Sequence, residues 1–168
     1  MLIYRPVDVA GPLPVCLHLH GGGYVLGLPE MNAPEHRRLA ATLPCMVVSV
    51  DYRLAPETRA PGALEDADAG LGWLHGNADA LGIDSQRIGV MGESAGGGLA
   101  AAFALYVRDR REFQLVFQRL SCPMLDDRSC TRADPHPLTG DYVWTPQMNR
   151  FGWRALLGCE PGSDEVPA

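Results

Sequence analysis

Gly92-Glu93-Ser94-Ala95-Gly96 places a serine in a G-x-S-x-G pattern, between an apolar run and a stretch of helical composition. On a sharp strand-to-helix turn a serine holds its hydroxyl clear of both elements, and the flanking glycines let helix and strand approach closely. The first helical turn beyond it has unpaired N–H groups and a partial positive charge, which favour an oxyanion forming there. Taken alone, Gly89, Gly92 and Gly96 also suit the glycine-rich turn of a nucleotide-binding domain.

A second loop narrows that choice. His20-Gly21-Gly22-Gly23-Tyr24 follows an earlier apolar run. Consecutive glycines let a backbone approach a substrate without side-chain clash. Acyl transfer needs N–H groups aimed beforehand at the carbonyl oxygen that gains charge. A triglycine loop and a serine turn, in this order and at strand ends, together point to acyl-transfer chemistry.

The elements that would position these loops alternate in type. Strands are expected at residues 2–5, 13–20, 45–51, 86–91 and 113–121. Helices are expected at 33–43, 64–81, 95–111 and 146–157, with Pro34 near the start of one and Gly158 stopping the last. The run CMVVSVD at 45–51 has the near-continuous apolarity of a strand buried on both faces. Each crossover is long enough for a helix, which is the sequence form of a doubly wound, mostly parallel α/β sheet. Residues 126–145 read as a loop, and no interdomain linker interrupts the chain, so residues 1–168 are expected to form one domain.

Composition excludes several alternatives. The 168 residues carry a net charge of −6, against non-specific nucleic-acid binding. No apolar run approaches the ~20 residues of a membrane-spanning helix. All 14 basic residues are arginine, which removes P-loop, pyridoxal-phosphate and Ser–Lys chemistries. The five cysteines (Cys16, Cys45, Cys122, Cys130, Cys159) have neither CxxC nor finger-like spacing, against structural zinc. Cys16, Cys45 and Cys122 lie in apolar runs, where a free thiol packs as a small hydrophobe, and a reducing cytoplasm fits them best.

The chain resembles the hormone-sensitive-lipase-like branch of the α/β-hydrolases, the bacterial carboxylesterases. HGGGYVLG at 20–27, DYRLAPE at 51–57 and GESAGG at 92–97 carry the resemblance, with weaker support from ALED at 63–66 and PMLDDR at 123–128. It implies Ser94 as nucleophile, the N–H groups of Gly22, Gly23 and Ala95 as oxyanion hole, a small-molecule ester as substrate, and no metal or organic cofactor. DYRLAPE is expected to support the site, with Asp51, Arg53 and Glu57 outside the chemistry. Charge-assisted hydrogen bonds from Arg53 and Glu57 would fix the following loop. Glu93 is expected to face solvent or a polar network.

A serine needs a positioned base, itself oriented by a carboxylate, and in this fold the order is serine, acid, histidine. Only His136 follows Ser94. Asp126 or Asp127 stands where some α/β-hydrolases keep their acid, but Asp134 and His136 share one proline-bounded loop, too close to brace each other. His18 and His75 are expected to be strand and helix residues, and His20 to shape its own loop. The expected architecture is therefore an incomplete α/β-hydrolase core lacking the C-terminal strands and N-terminal cap, weakly active or inert toward short-chain acyl esters. The alternatives are a non-catalytic ligand-binding module or pseudoenzyme, and an amidase or deacetylase.

Overall fold

The structure, a computed structural model, describes residues 1–131, 140 and 142–163. Its strands are β1 (Leu2–Tyr4), β2 (Leu13–Leu19), β3 (Met46–Val50), β4 (Ile83–Glu93) and β5 (Gln118–Ser121). Its α-helices are α1 (Ala33–Thr42), α2 (Gly62–Gly76), α3 (Ala78–Leu81), α4 (Ala95–Arg110) and α5 (Pro146–Leu157). The strands form one sheet in the order β1-β3-β2-β4-β5. β2 pairs parallel with both β3 and β4, β4 pairs parallel with β5, and β1 runs antiparallel on β3.

The sheet is covered on both faces. Leu13, Val15, Leu17 and Leu19 of β2 join Met46, Val48 and Val50 of β3 in a core closed by Ala67 and Leu71 of α2 and Leu99 and Phe103 of α4. On the opposite face His18 meets His36 of α1 edge-on, with ring centroids 4.2 Å apart. Every residue of β3 is buried, as its unbroken apolarity requires.

Register fixes where a site can form. Leu19 aligns with Val50 on one side and Gly92 on the other, so β2, β3 and β4 end together. From β2 the chain winds outward to β3, then crosses back to β4. The β2–β4 boundary is thus a topological switch point, where the loops beyond the strand ends splay apart and leave a crevice.

Three elements differ from their sequence expectations. The helix over 64–81 starts earlier, at Gly62, and breaks at Asn77, whose side-chain amide donates to the Trp73 carbonyl at 2.8 Å and competes with the helical ladder. The strand over 86–91 extends back to Ile83, because Leu13 pairs with Ile83 before a bulge. The strand over 113–121 shrinks to Gln118–Ser121. Phe113 stacks instead on His75 at 4.3 Å, so its apolarity serves helix packing rather than a strand. Cys122 is exposed, while Cys45 is buried and Cys16 half-buried.

Candidate active site

Ser94 joins β4 to α4 with φ 54° and ψ −120°, a conformation that costs a non-glycine residue of order 1–3 kcal/mol and persists only where its surroundings hold it. Three backbone hydrogen bonds do so. Ser94 N–H donates to the Ser121 carbonyl at 2.9 Å, and the Ser94 carbonyl accepts from Met124 N–H at 2.9 Å and Gly98 N–H at 3.0 Å. The glycines of the first α4 turn allow the contact beneath. A Cβ on Gly96 would lie 2.1 Å from the Leu19 carbonyl oxygen, and one on Gly98 2.0 Å from that of Met124.

The triglycine loop leaves the end of β2 beside this turn. A Cβ on Gly21 would stand 3.5 Å from Ser94 Cβ, so the root of the loop lies about one methyl group from contact with the serine. Tyr52 O–H donates to the His20 carbonyl at 2.6 Å, and His20 Nδ1–H donates to the Gly21 carbonyl at 2.8 Å. Beyond them Gly22 and Gly23 take φ of +129° and +61°, and the Gly22 carbonyl accepts from Leu26 N–H at 2.9 Å. Among the described residues, the N–H groups of Gly22, Gly23 and Ala95 donate to no protein acceptor. These amides stand in the loop after β2 and in the first turn of α4 after β4, two strands that end together, a disposition that can stabilise negative charge on an oxygen bound between them.

Glu93 belongs to a polar network. Its Oε1 accepts from Gly21 N–H at 2.9 Å and its Oε2 from His18 Nε2–H at 2.9 Å, while His18 Nδ1 shares a 2.9 Å hydrogen bond with the buried Ser49 hydroxyl. Burial pushes the Glu93 carboxyl up, but the His18 hydrogen bond and charge and the Gly21 amide together hold it below its ordinary range. Burial pulls His20 down, and burial followed by the nearby His18 charge pulls His36 to about 4.

The supporting motif behaves partly as expected. Arg53 donates to both carboxylate oxygens of Asp66 and to Glu65, tying 51–57 to the start of α2, while Glu57 enters no ion pair among the described residues. Asp126 caps the 3₁₀ turn Asp127–Cys130 and pairs with Arg128. Asp127 accepts from Gly162 N–H. His75 lies on α2, stacked on Phe113. Asp134 and His136 lie outside the described residues. Among those described, no histidine nitrogen hydrogen-bonds to Ser94 Oγ. No group of three His, Cys, Asp or Glu among them is arranged to hold a metal ion.

Sequence reasoning missed four supports of the loop. Tyr24 O–H donates to the Met124 carbonyl at 3.0 Å, fastening the loop to the backbone that also holds Ser94. The Trp144 ring lies directly against Gly23, and Gly152 of α5 abuts the Gly23 carbonyl. His18 is the fourth. Its position two residues before His20 put it on a defined face of β2, but only the β2–β4 register shows that this face meets Glu93.

Comparison with known proteins agrees with the geometry. Residues 16–168 match a family described as alpha/beta hydrolase fold. The chain is 45% identical over 121 residues to carboxylesterase NlhH of Mycobacterium tuberculosis (strain ATCC 25618 / H37Rv), covering 72% of this chain and 38% of that protein. It is 39% identical over 157 residues to ethyl acetate hydrolase of Pseudomonas putida, covering 92% and 45% respectively. A bacterial heroin esterase structure superposes with a TM-score of 0.89 at 38% identity, over 98% of this chain and 53% of that one. The chain thus spans about half the length, or less, of the relatives it matches.

Proposed function

The chain belongs to the α/β-hydrolase-fold family of serine ester hydrolases, and from that premise we propose that it is a carboxylesterase core acting on short-chain acyl esters through Ser94. The observation that carries this reading is the strained Ser94 turn beside the root of the triglycine loop, with the amides of Gly22, Gly23 and Ala95 left unpaired by protein acceptors among the described residues. Ser94 Oγ attacks the ester carbonyl carbon and loses its proton. The N–H groups of Gly22, Gly23 and Ala95 hold the resulting oxyanion. The C–O bond to the alcohol then breaks, the alkoxide takes a proton, and the acyl group remains on Ser94 until water releases it.

Because no histidine among the described residues reaches Ser94 Oγ, turnover by this chain is expected to be slow. Oxyanion stabilisation and binding alone retain about 10³–10⁴-fold over water in serine hydrolases stripped of their triad, a rate that does not need the serine, so turnover through Ser94 is the excess above it. The same observation favours a second reading, in which the crevice binds esters without turning them over. Free thiols at all five cysteines fit the cytoplasmic location we assign. No described helix is long and apolar enough to cross a membrane.

The test is hydrolysis of p-nitrophenyl acetate, butyrate and octanoate by the native chain and by Ser94→Ala. The expected outcome is a slow native rate, highest on the shorter esters and at least about tenfold above the variant. Equal rates in the two proteins, with ester binding retained, would replace the esterase reading with the binding module.

A further inference from the structure

The mechanism leaves unused the half-buried carboxylate immediately before the nucleophile. Glu93 lies at the end of β4, and its side chain turns back to accept the Gly21 N–H at 2.9 Å, the first amide of the loop that carries Gly22 and Gly23. One carboxylate therefore spans the two halves of the proposed oxyanion hole, the loop amides on one side and Ala95 N–H on the other. We propose that Glu93 is a positioning residue: by tethering Gly21 it sets the separation of the triglycine loop from Ser94, and His18 holds the tether in place.

Two physical considerations support this assignment. A hydrogen bond to a charged acceptor is roughly twice as strong as a neutral one, and this one joins segments 72 positions apart in the chain. Displacing reacting groups by about 1 Å can cost about 100-fold in rate, so a single tether at the root of a glycine loop matters more than its own energy suggests. A bare carboxylate beside an oxyanion site would oppose the charge that develops there. His18 removes that objection. Its Nε2–H donates to the other carboxylate oxygen, its ring is almost wholly buried, and its Nδ1 is fixed by Ser49, whose hydroxyl also lies 3.4 Å from the Pro29 carbonyl. His36 closes over the His18 ring from α1, and Tyr4 of β1 closes over His36. Around the pair, a cavity of about 280 Å³ is lined also by Glu35, Arg119 and Ser121. The cluster thus lies on the sheet face away from α2 and α4 and connects to the site through the Glu93 side chain.

The inference rests on the oxyanion role of the loop, so its test reads the tether and the site separately. The ¹H shift of the Gly21 amide is measured in the native chain, Glu93→Gln and Glu93→Ala. The same proteins are then treated with a p-nitrophenyl alkylphosphonate. In that reaction the Ser94 Oγ–P bond forms, the bond from phosphorus to p-nitrophenolate breaks, and the hydroxyl proton is released. The expected result is an upfield Gly21 shift in Glu93→Ala with Ser94 labelling slowed about 10- to 100-fold. Glu93→Gln, which keeps an acceptor for Gly21, should stay within roughly threefold of the native rate. Thermal unfolding of each variant identifies any loss that comes from unfolding alone, for which Glu93→Gln supplies the folded comparison. A Gly21 amide unmoved in Glu93→Ala, or labelling of that variant at the native rate, overturns the tether. A native chain that takes up no phosphonate while its Gly21 amide responds to the substitutions refutes the esterase reading and leaves the tether standing.

Discussion

The C-terminal ends of β2 and β4 and the outer edge of the sheet at β5 are built from the same chain to very different standards. At the first, Ser94 is held by three backbone hydrogen bonds, Gly96 and Gly98 have no space for a methyl group, and tyrosine hydroxyls fasten the triglycine loop at two points. At the second, β5 is four residues long and mostly exposed, and Val116, Phe117 and Leu125 are 56%, 43% and 62% exposed. Strained backbone persists only where its surroundings over-determine it. The contrast therefore teaches where conformational precision is invested: around the nucleophile, and little at the edge.

Substitutions should separate the two regions sharply. The largest loss is expected for Phe103→Ala, which empties a fully buried site midway along α4; chemical denaturation should show a loss of about 4 kcal/mol. Gly96→Ala comes next, at about 3 kcal/mol, because its new methyl group would strike the carbonyls of Leu19 and His20, backbone atoms that cannot move without shifting β2. A loss below about 1 kcal/mol would mean that the close approach of α4 to β2 is softer than described.

Acid should act on the same end of the sheet from its other face. The unfolded His36 imidazole takes up a proton near its ordinary 6.5, whereas the folded one, buried against His18, resists until about 4. Between those values the unfolded chain binds more protons, so stability falls as pH falls through the window and its slope flattens below about 4. Melting temperatures from pH 7 to 4 should therefore decline less steeply in His36→Leu than in the native chain. Some slope remains from His20 and Glu93, whose depressed values act in the same direction. Identical slopes would remove His36 from the account. The smallest effect is expected at the edge. Val116→Thr, which keeps the backbone bond from Val116 N–H to Ile88, should change stability by less than about 0.5 kcal/mol.

The same contrast explains what could be read in advance. β3 and α5 were legible because their signals are local: an unbroken apolar run in one, and a proline start with a left-handed glycine stop at Gly158 in the other. The serine turn and the triglycine loop were legible because glycine spacing reports close backbone approach. The strand over 113–121 was overread because apolarity at Phe113 and Leu115 reports burial against the core without saying in which conformation. The break at Asn77 depends on one side chain competing for a carbonyl, a contest that composition does not reveal. The His18–Glu93–Gly21 connection was invisible for a different reason. It joins residues from two strands through a parallel register, and register is decided by the whole sheet.

The central claim is that the Ser94 oxygen projects into the crevice between the two loops and is chemically competent there. Phosphonate labelling of the folded chain, followed by cleavage at arginine and mass spectrometry of the peptide spanning residues 88–108, tests it most directly. A single adduct on Ser94, absent from the Ser94→Ala protein, is the predicted result. An unmodified peptide from protein shown to be folded, or an adduct on any other residue, would contradict it.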